Sequence, residues 1–324
     1  METISKCSVN YDGAVIKSIS NDVMVLGEGP FWDSQKQIFY FVDIMQHRVY
    51  RFKNSKLEFL QLDTDVGFII PVAEEEDLFV IGLGTELTAL KWSENCNQSY
   101  SKRRLITVDE NKVDNRWNDA KADHAGFLYA GTMARKDEGG NFPPNQGTLY
   151  KLSDSCQMEA VVSNVSISNG MAWNNDGTKM YYIDSLTKQI ALFDYDPKEN
   201  KLANRRVFYD FKTDQLPGFP DGMTIDENDN LWVANYGGAQ VIHICGHTGK
   251  LLGKLALQAE LVSSVTFGGP ELDILYVTTI SEGESEEQFK KYPKTGKVLE
   301  VTGLGVKGTL SRRVKSNCFR SLKF

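Results

Sequence analysis

The chain has 324 residues and a net charge of −7, with 36 Lys and Arg against 43 Asp and Glu; without a basic face it offers no footprint for nucleic acid. Hydrophobic residues at 41% and charged residues at 24% are globular proportions, and no run approaches the ~18 apolar residues of a membrane span. Five scattered cysteines (Cys7, Cys96, Cys156, Cys245 and Cys318) and a first stretch without an apolar signal core argue against a disulfide scaffold and for a soluble, cytoplasmic protein, in which the sequons at Asn97 and Asn164 are chance matches.

Taken in chain order, one pattern recurs: a short strand with an aromatic residue near its start, just after a polar turn. The aromatic anchors are Tyr40, Phe79, Tyr129, Tyr181, Trp232 and Tyr276, at spacings of 39, 50, 52, 51 and 44 residues. The turns before them, at 33–35, 74–77, 123–126, 174–177, 226–229 and 268–270, are rich in Asp, Asn, Glu and Gly, residues suited to joining hairpin arms. Six copies at a period of roughly 40–50 residues are the signature of propeller blades. The expected fold is all-β: a six-bladed propeller of four-stranded blades, one domain over residues 1–324. Closure is expected to join strands before Gly27 to a late strand at 296–301. A propeller closed within one chain needs no partner to complete its core, so a monomer is expected. The tail at 309–324, with Arg312, Arg313, Lys315, Arg320 and Lys323, reads as a solvated end.

Eleven or twelve residues before each anchor stand Glu28, Phe68, Asn118, Asn169, Asp221 and Ser264. These repeat-equivalent positions begin the strand that lines the central channel, so they form a ring at one end of it. Two carboxylates converging on one channel resist joint ionisation unless a cation lies between them. Glu28, Asp221 and the amide oxygen of Asn169 make an all-oxygen set suited to a hard divalent ion. The other reading is that the two acids cap strands or accept from neighbouring backbone. The stretch 243–247 contains His243, Cys245 and His247, but strand alternation and the absence of spaced cysteine pairs favour a core or surface role over zinc.

The segments 26–30 (LGEGP), 115–121 (NRWNDAK), 168–173 (SNGMAW), 220–223 (PDGM) and 231–234 (LWVA) resemble the signatures of the regucalcin (senescence marker protein 30)/gluconolactonase family. The resemblance runs from about residue 20 to 308, and its insect branch includes firefly luciferin-regenerating enzyme. It implies a six-bladed propeller with one axial divalent metal held by Glu28, Asn169 and Asp221, calcium being expected and manganese, zinc or magnesium the alternatives. It further implies hydrolysis of a small lactone, in which the metal polarises the carbonyl and Asp221 serves as the proposed catalytic base. Arg116 and Asn118 would bind substrate hydroxyls. One departure stands out: where mammalian members carry an acidic sugar contact, the stretch after Ala134 reads Arg135-Lys136. This departure puts sugar preference in doubt and suits an anionic or otherwise different lactone. The turn-rich segment 135–146 reads as a lid or as a surface loop. Two alternatives remain open: a non-sugar ester hydrolase of the luciferin-regenerating type, and a calcium-binding regulatory protein without turnover.

Overall fold

Six antiparallel sheets of four strands each are arranged as blades among the residues described by the computed structural model, which are 9, 11–94, 99–320 and 322–324. The strands nearest the axis are Gly27–Asp33, Val66–Pro71, Asn115–Ala122, Ser168–Trp173, Phe219–Ile225 and Val262–Gly268. In blades 1 to 5 the four strands follow one another in the chain. In blade 6 the N-terminal strand Val15–Ser18 completes the sheet beside Leu299–Thr302, with Val15 opposite Thr302 and Ser18 opposite Leu299. The expected closure is therefore the observed one, within a residue or two.

Strand character follows position in the blade. Second strands such as Ile38–Asp43 and Leu78–Leu83 are buried along their whole length, because neighbouring blades cover both faces, and so they read as continuous apolar runs. Outermost strands such as Tyr100–Thr107 and Lys201–Asp210 are largely exposed and polar. The recurring aromatic anchors fill the seams between blades: Tyr40 packs edge-on against Phe79 at 5.1 Å, and Trp232 against Phe267 at 5.6 Å. The acids and amides of the turns close them through side-chain acceptance from backbone N–H groups. Asp123 Oδ1 accepts from Ala125 and Phe127, Asn174 Oδ1 from Thr178 and Lys179, and Asp226 Oδ1 from Asn228 and Asn230.

All six inner strands carry one extra residue relative to their partner. The irregularities lie between Glu28 and Phe31, Val66 and Ile69, Trp117 and Ala120, Ser168 and Met171, Pro220 and Met223, and Val262 and Ser264. A bulge breaks the two-residue alternation and re-aims side chains. Here the bulges fall on or beside every ring position named above.

Close approach at the axis needs glycine. A Cβ built on Gly170 would lie 2.7 Å from both Asp221 O and Met223 N, backbone atoms of the next blade that have no room to retreat. Gly170→Ala is expected to cost about 1–3 kcal/mol through overpacking, seen as a lowered urea midpoint with an unchanged slope.

Two expectations are corrected. The tail is solvated only in part: Arg312, Lys315, Arg320, Lys323 and Phe324 are exposed. Val314 and Phe319 are buried, Val314 N donates to Pro71 O, and Arg313 Nη2 donates to both oxygens of Asp33 at 2.8 and 2.6 Å. The tail is thus a strap across the turn end of the blades, drawn there because its apolar side chains and one guanidinium match a groove and a buried acid. The scattered cysteines are not all unpaired: Cys156 and Cys318, 162 residues apart, form a disulfide that ties the strap to blade 3. Sequence separation hid a pairing that the ring closure creates. Cys7, Cys96 and the Asn97 sequon lie outside the described residues. Outside the blades, the six-residue helix Glu286–Lys291 begins at a capping box made by Ser285 and Gln288.

Candidate metal centre and substrate cavity

At the end of the channel opposite the strap lies a cavity of ≈ 150 Å³ whose lining includes Glu28, Arg116, Asn118, Asn169 and Asp221. The structure therefore brings together every predicted site residue. Phe68 and Ser264, the other two ring positions, do not join them. They line a narrow space of ≈ 20 Å³ along the closed part of the channel.

The local sequence places the three candidate ligands by one repeated device. Each second strand in their blades ends in an acid or amide that grips the chain entering the inner strand. Asp43 accepts from Val25 N at 2.8 Å and Leu26 N at 3.2 Å, and Glu28 follows two residues later. Asp184 accepts from Ser166 N at 3.1 Å and Ile167 N at 3.0 Å, two residues before Asn169. Asn235 Nδ2 donates to Pro217 O at 2.8 Å and Phe219 O at 3.4 Å, two residues before Asp221. The sequence reading missed these three residues. Their signal is present: Asp43, Asp184 and Asn235 stand 15, 15 and 14 residues after the residues they position.

Glu28, Asn169 and Asp221 are 5%, 3% and 7% exposed. Burial raises the Glu28 carboxyl above the ordinary range, and the charge of Asp119 raises it further. Burial likewise lifts Asp221 well above its usual value, with Glu28 and then Asp119 adding repulsion. Asn169 Nδ2 donates to Ser185 Oγ at 3.0 Å, whereas its Oδ1 is buried with no hydrogen-bond partner. A buried, unpaired carbonyl oxygen costs on the order of 1–3 kcal/mol. Two mutually repelling buried carboxylates and one orphaned oxygen are a donor set that fits a hard divalent cation. Among the described residues no group of three or more His, Cys, Asp or Glu could hold a metal ion; the third oxygen of this set is the amide oxygen of Asn169.

Arg116 and Asn118 form the opposite wall. Arg116 Nη1 donates to Asn118 Oδ1 and to Trp117 O, both at 2.8 Å, and Asn118 Nδ2 donates to Ser168 O at 2.9 Å. Burial brings the guanidinium down to about 10, opposed by Asp65. Lys136 also lines the cavity, and its Nζ pairs with Glu282 at 3.0 Å. From the segment 135–146, Phe142 reaches the cavity and forms one wall of its mouth. Asp119 and Lys121 follow Asn118 on the same inner strand. Lys121 Nζ spans the channel to donate to Met223 O at 2.7 Å. Burial pushes Lys121 down to about 8, opposed by the charge of Asp119. The suspected cluster at 243–247 is structural: His243 stacks on Trp232 at 4.2 Å and faces Asp226 at 3.3 Å.

Known proteins agree with this architecture. A family model described as "SMP-30/Gluconolactonase/LRE-like region" matches residues 26–281. Regucalcin of Xenopus laevis is 35% identical over 295 residues, covering 90% of this chain and 96% of its own. Regucalcin of Homo sapiens is 36% identical over 282 residues, 87% of this chain and 92% of its own. A luciferin-regenerating enzyme structure superposes with a TM-score of 0.88 at 38% identity, over 94% of this chain and all of that one. A calcium-binding regucalcin from Agrobacterium tumefaciens shares the fold at a TM-score of 0.82 and 20% identity, over 91% of this chain and 96% of its own. With its six blades, its axial ring and this match across most of its length, the chain belongs to the SMP-30/gluconolactonase/LRE-like family.

Proposed function

We propose that this protein is a divalent-metal-dependent hydrolase of lactones, with Glu28, Asn169 and Asp221 holding the ion. The observation that carries this reading is the buried, unpartnered Asn169 Oδ1 beside two carboxylates that burial and mutual repulsion hold above their ordinary range. When bound, the cation supplies Lewis-acid polarisation of the substrate carbonyl and stabilises negative charge on its oxygen. An all-oxygen donor set suits calcium, with magnesium and manganese also admissible and zinc less so.

The chain's own residues do the rest. Arg116, fixed through Nη1 by Trp117 O and Asn118 Oδ1, orients the substrate from the wall of the cavity with its remaining donors. Asp221, whose carboxyl lines the cavity, is the proposed base that takes a proton from the attacking water. The buried walls limit bulk water around the reacting group. Names of relatives support the hydrolase class: the family description includes gluconolactonase, and the luciferin-regenerating protein is an enzyme by name.

The test is hydrolysis of a panel of δ-lactones, glucono-δ-lactone among them, by chelated protein to which calcium, manganese, zinc or magnesium is returned singly. Turnover restored by at least one ion supports the reading, and metal-independent turnover rejects it. Positioning can be probed separately. Asp184→Ala frees the chain entering Asn169 and is expected to weaken calcium binding about 10–100-fold, as loss of supporting shells around metal ligands does. Calorimetric titration measures that change without reference to activity.

A further inference from the structure

We infer that the preferred substrate is an uncharged, hydrophobic lactone carrying an alkyl or aryl substituent, not a polyhydroxylated sugar lactone. This rests on the hydrolase reading above and names its substrate class.

The first observation is the composition of the cavity beyond the axial ring. Its lining includes the apolar side chains of Met133, Phe142, Ile167, Leu186, Phe219 and Ile280, beside the polar Lys136, Ser185, Tyr236 and Glu282. Leu186, at the mouth, is 37% exposed. Large apolar side chains left open at the rim of a pocket mark a surface that a ligand covers. Backbone bridges between neighbouring blades hold several of these walls: Met133 pairs with Ile167, and Ile280 with Leu26. The apolar surface is therefore built into the scaffold.

The second observation is that several of the cavity's polar groups are committed to one another, while Arg116 keeps the donors beyond its Nη1 for a ligand. Both ends of the Asn118 amide are used, by Arg116 and by Ser168 O. The Asn169 NH₂ is bonded to Ser185, and Lys136 is held by Glu282. Each hydroxyl of a sugar lactone would have to exchange its water for a partner, and an unpaired polar group in such a site costs about 1–3 kcal/mol. The Lys136–Glu282 pair also offsets the charge of Lys136 at the mouth.

Size agrees. A cavity of ≈ 150 Å³ is about that of an engineered apolar cavity that binds benzene, so one six-membered lactone ring fits at the ring of oxygens while its substituent lies along the mouth. In the reaction, the acyl carbon–ring oxygen bond breaks, water delivers hydroxyl to the acyl carbon, and the ring oxygen leaves as the alcohol. The product is a hydroxy acid, which releases one proton at neutral pH.

The experiment compares δ-decalactone with glucono-δ-lactone, which share the reacting ring, on the full calcium-loaded chain. Binding is measured by calorimetry with the two corresponding lactams, which resist hydrolysis. Each buried methylene is worth about fourfold in affinity, so the pentyl lactam is expected to bind on the order of 100-fold tighter than the sugar lactam, allowing for incomplete burial. Leu186→Asn, at an exposed rim position, should weaken the pentyl lactam at least about threefold relative to the sugar lactam, by loss of apolar contact; Phe142→Ser repeats the comparison on another wall. Equal or tighter binding of the sugar lactam overturns the inference, whatever the turnover. Tighter pentyl-lactam binding without hydrolysis of either lactone upholds the apolar site and rejects the hydrolase reading instead.

Discussion

Asp221→Ala is expected to lower kcat/KM on any lactone substrate by on the order of 10³-fold or more, since losing a Lewis acid removes several kcal/mol of transition-state stabilisation. Asp221 is 7% exposed and lies in the bulge of its inner strand, where the Gly170 approach and the Asn235 grip leave its backbone little freedom. The variant should therefore fold, and should lose calcium binding in calorimetry together with activity. Asp221→Asn separates the two roles assigned to this side chain. An amide still offers an oxygen to the ion but cannot take a proton, so calcium should bind, more weakly, while turnover falls. Full turnover by a metal-bound Asp221→Asn protein would remove the base role and leave Asp221 as a ligand only. Loss of calcium binding with unimpaired hydrolysis in Asp221→Ala would remove the metal from the mechanism.

Loading with calcium is expected to stabilise the native chain by about 4 kcal/mol when the free ion stands at 1,000 times its dissociation constant, because the ion binds the folded site and not the unfolded chain. The physical source is local. In the absence of a cation, Glu28 and Asp221 raise one another's cost of ionisation and Asn169 Oδ1 stays unpaired. A cation relieves all three at once. The measurement is the urea midpoint with calcium and with chelator, read beside the Asp221→Ala protein. A midpoint that moves equally in both proteins would assign the effect to ions bound elsewhere. A midpoint unchanged by calcium, manganese or magnesium in the wild-type chain would argue that the ring binds none of them.

Specificity depends on contacts between distant parts of the chain. The sequence position of Lys136 suits an anionic or otherwise different lactone, and its Nζ is paired with Glu282, 146 residues away. Nothing local to Lys136 announces that partner. The tail is a similar case. Arg313 is one of several basic residues near the end of the chain, and only the folded ring presents it with Asp33 at the turn of blade 1.

By itself the sequence determined the architecture and the axial residues. Six aromatic anchors at a regular period fix the number of blades, because each blade must bury the same kind of face against its neighbours. Counting back from those anchors reaches Glu28, Asn118, Asn169 and Asp221, since the short hairpin between inner and second strands keeps that count nearly constant. The same count also selected Phe68 and Ser264, which the structure sets lower in the channel. Tertiary structure alone decided whatever depends on residues far apart in the chain: the Cys156–Cys318 bond, the strap, the Lys121 bridge to Met223, and the apolar mouth assembled from several blades. The reason is physical. A repeat specifies its own strands and turns through short-range pattern, whereas the mouth of a closed ring is made of single residues from separate repeats whose meeting is set by closure.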